Sequence, residues 1–183
     1  KNSYFNRFSS RLAYDSELYD WLDFRASAAY TNSKSNRLTA GSSYTNPFQW
    51  TRSIAPIYPI YKTDVNGDLV KDQLGAPIYD FGDRVNGANE GRMYGSATNP
   101  VATQMLDRDT YQNDYVVLNS GLDVQLPYNF VFSTTIGLSG DFSRNDDFTT
   151  PTGGSGLAYN GIGYKSRVNT KEITWNQILK WDT

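Results

Sequence analysis

Cysteine and histidine are both absent from the sequence. Without cysteine the chain can form no disulfide bond and no thiolate metal site, although this does not fix its compartment. Without histidine it lacks the commonest general base and metal ligand of proteins. The formal net charge of −2, from 17 basic and 19 acidic residues, gives no electrostatic reason to expect nucleic acid as a partner. We therefore expect no bound nucleic acid, metal or cofactor.

Long hydrophobic runs are also missing. No segment approaches the roughly 18 apolar residues of a membrane helix, so any membrane-spanning segment would have to be a β-strand. The 183 residues suffice for one domain with a core, but only 38% of them are hydrophobic, which is below the usual share. Aromatic rings supply much of that content, with 14 Tyr, 9 Phe and 4 Trp. This composition fits an ordinary globular domain poorly.

The clearest pattern in the sequence is an alternation of apolar and polar residues between Tyr115 and Phe142. The apolar positions of one parity are Val116, Leu118, Leu122, Val124 and Leu126, followed after a short turn by Phe130, Phe132, Ile136, Leu138 and Phe142. A period of two predicts β-strands with one apolar face each. The four residues from Leu126 to Asn129 predict a tight turn, so the two strands should form an antiparallel hairpin.

Less regular alternation predicts three further strands, which makes the fold class all-β with antiparallel up-and-down strands. The predicted strands are residues 3–14, 22–31, 115–126, 130–142 and 165–181. The segment from Asp15 to Asp20 should be a short connection between the first two strands. Residues 32–114 and 143–164 should be long loops, and Asn66-Gly67 in the first loop is typical of a type I′ hairpin turn.

Alternating short turns and long loops are typical of outer-membrane barrels, whose periplasmic turns are short and extracellular loops long. Strands of ten or more residues match a tilted membrane strand, whereas soluble strands are nearer five or six. Rings near the strand ends, such as Trp21, Tyr128 and Trp181, match an aromatic girdle at headgroup depth. These features favour lipid as the covering of the apolar faces. A soluble β-sandwich carbohydrate-binding module, whose two sheets cover each other, is the alternative.

Five stretches, taken in order along the chain, carry a family resemblance. They are Tyr19 to Phe24, Ala55 to Tyr61, Asn99-Pro100-Val101, the hairpin around Leu126-Pro127-Tyr128, and Thr174 to Trp181. Together they resemble the barrel of SusC/RagA-type TonB-dependent outer-membrane transporters of Bacteroidetes. Five strands cannot close a barrel, and lipid does not tolerate an open sheet edge. We therefore expect the chain to be an internal portion of a larger barrel.

The resemblance implies a large transmembrane β-barrel, about 22-stranded, plugged by a domain expected to lie N-terminal to Lys1 together with the signal peptide and the TonB-contacting segment. It implies a location in the bacterial cell outer membrane and a surface lipoprotein of the SusD type as a partner. It also implies import of oligosaccharide or peptide cargo, driven through the TonB complex. No bond is made or broken in such passage, so the resemblance implies a transporter and not an enzyme.

Two groups of residues are candidates for function. The loop aromatics that could contact cargo or the lipoprotein, or could pack the loop on itself, are Trp50, Tyr58, Tyr61, Tyr79 and Tyr94. The charges on the polar parity, which should face the barrel lumen, are Arg7, Arg11, Arg25, Asp123 and Asp141. These charges could guide cargo, or they could form ion pairs with the plug or with neighbouring strands.

Acidic clusters in the loops invite two further interpretations. Asp107-Arg108-Asp109 and Asp146-Asp147 could supply an acid/base pair, but no nucleophile or histidine accompanies them, and an enzymatic barrel would need catalytic residues from outside the chain. Asp64, Asn66 and Asp68 resemble the start of a calcium loop, yet the twelfth position is Gly75 instead of a bidentate acid. We expect a turn there, and no catalytic or metal site.

Overall fold

In a computed structural model, described for residues 3–37, 47–53, 56–82 and 98–181, five long strands form one open antiparallel sheet. The strands are β1 (Tyr4–Tyr19), β2 (Leu22–Asn36), β3 (Arg108–Leu126), β4 (Phe130–Thr149) and β5 (Ile162–Trp181). Each strand pairs with the next along the chain, in the order β1-β2-β3-β4-β5. The predicted all-β, up-and-down arrangement is therefore confirmed.

Three short helices lie between the strands. They are α1 (Pro47–Ser53) and α2 (Pro100–Leu106) between β2 and β3, and a 3₁₀ helix (Gly154–Tyr159) between β4 and β5. The chain divides into two compact units, which we call the loop unit and the sheet unit. The loop unit includes Asn36–Thr110 and Asn145–Lys165, whereas the sheet unit includes Phe5–Ser35, Tyr111–Arg144 and Ser166–Thr183.

The sheet unit has an apolar face and a polar face, as the alternation predicts. Even-numbered residues of β1 to β4 form the apolar face together with odd-numbered residues of β5. Side-chain contacts fix this assignment, because Tyr14 lies 6.3 Å from Phe24 between ring centres, and Phe130 lies 6.2 Å from Trp181. On the polar face, the Ser9 and Thr31 hydroxyls lie 3.1 Å apart. The faces therefore continue from strand to strand across the sheet.

Hydrophobic side chains on the strands are not buried in the described part of the chain. The buried hydrophobic residues there are Trp50, Phe81 and Ala102, and all three belong to the loop unit. On the apolar face Leu118 is 43% exposed and Ile136 is 44% exposed. A single sheet cannot cover its own face, so any covering layer must come from outside the described residues.

The strands are longer than the predicted ones, and the loops are correspondingly shorter. β1 continues through the predicted connection to Tyr19, β2 reaches Asn36, and β3 already begins at Arg108. β4 likewise continues to Thr149, well past Phe142. The predicted strands are too short because alternation of apolar and polar residues is visible only where a strand has one apolar face. Backbone pairing continues beyond it, as in the bond from the Arg37 N–H to the Asp109 carbonyl oxygen at 2.9 Å.

The type I′ turn predicted at Asn66-Gly67 is wrong. Such a turn needs positive φ at both central residues, but only Gly67, at φ 89°, has it. The Asp64 carboxylate accepts the Asn66 and Asp68 N–H groups, both at 2.9 Å, and this favours an Asx-type turn. Positive φ at two successive residues occurs instead at Tyr128 (64°) and Asn129 (62°), where β3 turns into β4.

Candidate functional site

The loop unit contains a repeat of eight residues between Ile60 and Asp80, which we call the hairpin module. Aspartates recur in it at positions 64, 72 and 80. Each aspartate accepts a backbone N–H two residues ahead through its Oδ1, at 2.9, 2.9 and 2.7 Å respectively. Glycines with positive φ follow at Gly67, Gly75 and Gly82, and at Gly67 and Gly75 the chain reverses. The module is therefore a threefold repeat in which the turns at Asp64 and Asp72 are alike, whereas the turn at Asp80 has its glycine one residue earlier.

The three copies close on one another through their backbones. Lys62, Val70 and Ile78 lie eight residues apart and bond in a ring. The Lys62 N–H donates to the Ile78 carbonyl oxygen, the Val70 N–H to that of Lys62, and the Ile78 N–H to that of Val70, at 2.9, 2.9 and 3.0 Å. The three repeats therefore satisfy these backbone groups among themselves.

Asn99 joins the hairpin module to α2. Its side-chain Nδ2 donates to the Ile60 and Asp80 carbonyl oxygens at 2.8 and 2.9 Å. Its Oδ1 accepts the Val101 and Ala102 N–H groups at 3.1 and 3.0 Å, so Asn99 is also the N-cap of α2. Because Asn99 is only 3% exposed, all four bonds are shielded from water.

Two further contacts hold the ends of the loop unit. Asp107, which follows α2, accepts the Thr150 N–H at 2.8 Å through Oδ1. Burial raises the pKa of the Asp107 carboxyl, the Thr150 bond opposes this, and the nearby Asp147 charge adds to the rise. Phe81 packs against Gly153 so closely that a Cβ at Gly153 would lie 2.4 Å from its ring. Glycine is therefore required at this position by packing.

The loop aromatics predicted as candidates do not form one cluster. Trp50 in α1 is 4% exposed and packs within the loop unit, while Tyr58 is half-buried. Tyr61 and Tyr79 come together, with ring centres 5.0 Å apart, because their backbones pair across the hairpin module. Burial raises the pKa of the Tyr79 hydroxyl, and its hydrogen bond with Tyr61 adds to the rise. Tyr94 lies outside the described residues.

The predicted lumen charges lie on the polar face of the sheet unit. Arg25 and Asp123 form an ion pair across β2 and β3. Arg7 donates through Nε to the Ser9 hydroxyl at 3.3 Å, and Asp141 is half-buried on β4. Arg11 and Arg25 line a shallow depression of about 280 Å³ on this face. The face is thus polar and partly self-paired, which suits contact with water or with a polar partner.

The apolar face ends in a hydrogen-bonded polar cluster at the loop end of the sheet unit. The Tyr30 hydroxyl donates to Asp114 Oδ1 at 2.7 Å, and Asn32 Nδ2 donates to the same oxygen at 2.6 Å. The Phe8 ring lies 6.5 Å from the Tyr30 ring and is the neighbouring apolar residue. The apolar face therefore gives way to carboxylate and amide groups over about two residues of each strand.

Sequence reasoning missed the hairpin module and the role of Asn99. The signal for the module was the eight-residue spacing of Asp64, Asp72 and Asp80, each followed by a glycine. The signal for Asn99 was its place directly before Pro100, since Asn is a preferred N-cap and Pro a preferred first helical residue. Both signals are local, whereas the Arg25–Asp123 pair joins residues far apart in the chain and needs the strand register.

No three acidic side chains converge in the described ranges in a way that could hold a metal ion. Neither of the two seven-residue α-helices, within that same part of the chain, has the length and hydropathy of a membrane span. A comparison of the sequence with protein-family models and with curated proteins finds no matching family and no matching protein.

Proposed function

We propose that this chain is part of the β-barrel of an outer-membrane, TonB-dependent nutrient importer of the SusC/RagA type. The sheet unit forms a portion of the barrel wall, with its apolar face towards lipid and its polar face towards the lumen. The loop unit lies on the extracellular side, where it contributes to binding of oligosaccharide or peptide cargo and of a SusD-like lipoprotein. The chain itself makes and breaks no bond, and energy reaches the barrel through the TonB complex.

The observation that carries this proposal is the uncovered apolar face. Exposed residues on it include Leu12 (73%), Ile173 (76%) and Leu179 (61%), which lie on strands at both edges of the sheet. Apolar area costs about 25 cal/mol per Å² in water, so a continuous face of this kind needs a covering. Lipid supplies such a covering without a second protein layer.

The ends of the strands support the same orientation. At the turn end of the apolar face, Tyr14 lies 6.3 Å from Phe24 between ring centres, and Trp181 stacks on Phe130 at 6.2 Å. Rings with polar tips settle at headgroup depth, which matches a girdle on the side of the short turns. The edge strands β1 and β5 would expose unpaired backbone groups to hydrocarbon, so further strands must complete the wall in the barrel.

The first experiment measures what surrounds the apolar face. The chain has no cysteine, so single cysteines introduced at neighbouring positions can carry nitroxide labels without a background from this portion of the protein. In the complete protein in lipid nanodiscs, a label at Leu118 should be accessible to oxygen, which dissolves in lipid, and shielded from a water-soluble nickel complex. A label at Asn119 should show the reverse, and Leu138 and Ser139 provide a matched second pair.

The outcome separates the proposal from a β-sandwich. If the Leu118 label is shielded from both reagents, protein covers the face and the barrel assignment is wrong. Import is tested separately by growth on single oligosaccharides or peptides with and without the gene. A substrate on which growth is lost and then restored by the gene would support import, while growth unchanged on every substrate would count against it.

A further inference from the structure

Positively charged residues lie just beyond the apolar face of the sheet unit, on the same side of the strands as that face. Strand alternation places Arg167 and Lys171 on the same face of β5 as Ile173 and Trp175. On β4, Arg144 shares its parity with Phe142, whose ring lies against Gly140 on the apolar face. On β2, Lys34 follows Tyr30 and Asn32 at the same parity. We call Lys34, Arg144, Arg167 and Lys171 the basic rim.

The basic rim lies at the level where the apolar face ends. Asp114 marks this level on β3, because Tyr30 and Asn32 both donate to it. Arg144 is close enough to Asp114 for a favourable charge interaction. At this parity beyond the apolar face, the strands carry two acidic residues, Asp114 and Asp146. Lys165 on β5 offsets Asp146 in number, so the four cations of the basic rim exceed the remaining acid by three. The positive charge is therefore not neutralised locally.

All four cations of the basic rim are exposed. The ion pairs found among the described residues are Arg25–Asp123 and Arg37–Asp109, and neither includes a member of the rim. The chain as a whole has a net charge of −2, so this concentration of positive charge runs against its average. Its place beside an apolar face points to a ligand with an acidic headgroup and an apolar body.

The opposite end of the apolar face is different. At the turn end, the residues on the apolar face have aromatic and aliphatic side chains. They are Tyr14, Leu18, Leu22, Leu126, Phe130 and Trp181. Lys180, the nearest cation there, has the parity of the polar face. The two ends of the apolar face therefore meet chemically different surroundings, aromatic at one end and cationic at the other.

We propose that the basic rim binds the phosphate groups of a phosphate-bearing lipid in the leaflet at the loop end of the strands. The inference rests on the proposed function, since it assumes that the apolar face is immersed in lipid. Arginine and lysine beside an acyl-covered surface attract anionic headgroups, each by roughly fivefold. The Asp114 cluster then lies at the boundary between headgroups and hydrocarbon, with Tyr30 directed to it from the apolar side.

The test compares lipid preference in the complete protein placed in phosphatidylcholine vesicles that contain diphosphorylated lipid A. The fraction of motionally restricted, spin-labelled lipid A is measured relative to spin-labelled phosphatidylcholine. The rim variant is Arg144→Gln, Arg167→Gln and Lys171→Gln. The control variant removes the same charge from the polar face, by Arg7→Gln, Arg11→Gln and Lys180→Gln.

We expect the wild type and the control variant to prefer lipid A, and the rim variant to lose at least fivefold of that preference. Added salt should weaken the wild-type preference, because headgroup contacts of this kind are partly screened. Equal association of both lipids with the wild type, or an equal loss in both variants, would overturn the inference. Flotation with the vesicles is scored first: a protein that floats without preferring lipid A refutes the basic rim alone, whereas one that does not float refutes the proposed function.

Discussion

Replacing Asn99 with Asp separates the two roles of this side chain. Asp keeps the size of Asn and both acceptor bonds to the N-terminus of α2, but it removes the two bonds to the Ile60 and Asp80 carbonyl oxygens. If capping alone mattered, Asn99→Asp would be neutral, since both residues are good N-caps. We expect it instead to destabilise the loop unit as much as Asn99→Ala does.

The magnitude follows from the four bonds. Losing the cap costs about 1 kcal/mol, and each buried carbonyl left without this donor costs about 1 kcal/mol, so Asn99→Ala should cost about 3 kcal/mol. In Asn99→Asp the cap is kept, but a buried carboxylate faces two carbonyl oxygens. Their repulsion should bring the total to a similar value. A loss of about 3 kcal/mol corresponds to roughly a hundredfold in the opening equilibrium.

Burial and the facing oxygens would raise the pKa of a carboxyl at position 99. A raised pKa in the folded state means that the stability is fully present below the unfolded-state pKa and is lost as pH rises through the folded value. Asn99→Asp should therefore approach wild-type stability in acid and lose it towards neutral pH. The loss in Asn99→Ala, measured relative to the wild type, should show no such dependence.

The assay is amide hydrogen exchange of the complete protein in lipid nanodiscs, followed over residues 60–82. The N–H groups of Lys62, Val70 and Ile78 report on the ring of the hairpin module. Asn66→Asp is the matched control, because it makes the same chemical change at an exposed turn of the same module. Wild-type protection in Asn99→Asp at neutral pH would show that the bonds to Ile60 and Asp80 contribute little, and would refute the reasoning.

Two more changes test the ends of the loop unit. Asp107→Ala leaves the Thr150 N–H without its acceptor and should lower the protection of that amide against exchange by about tenfold. Asp107→Asn keeps an acceptor and should preserve the protection. Equal protection in both variants would contradict this. Burial raises the pKa of Asp107, so its contribution to stability is present in acid and is lost as pH rises through the raised value. The wild type should therefore weaken relative to Asp107→Asn as pH rises above about 4. Gly153→Ala should destabilise the loop unit by about 2 kcal/mol, measured by its rate of proteolysis, because the new Cβ overlaps the Phe81 ring. Adding Phe81→Leu should relieve part of this loss, and strictly additive effects would argue against the clash.

The sheet was largely predictable from the sequence, because one physical cause acts along the whole pattern. Wherever a strand has one apolar face, as from Val116 to Leu126, the side chains must alternate, and the alternation is visible without coordinates. Beyond Tyr30 and Phe142 both sides of the strands are polar except at Phe148. Pairing there depends on backbone hydrogen bonds that leave no trace in composition, so the strand ends were placed too early.

The loop unit was mostly not predictable, for a different reason. Its order comes from backbone bonds and from a few buried polar groups, of which Asn99 makes the largest number of described side-chain bonds. Rings are common at binding sites, so aromatic residues in a long loop are candidates for ligand contact. Trp50 and the Tyr61–Tyr79 pair nevertheless take part in packing within the unit. A ring in a long loop therefore does not by itself distinguish a ligand contact from internal packing.

The hairpin module begins and ends at one place, since the Asp80 N–H donates to the Ile60 carbonyl oxygen at 2.9 Å. The two ends of the module are therefore adjacent, so the module is an insertion that can be exchanged as a unit. The exposed turns at Val65 and Leu74 could be shortened or replaced without moving the chain at Ile60 and Asp80. The sequence of the module can then vary while the sheet unit stays the same.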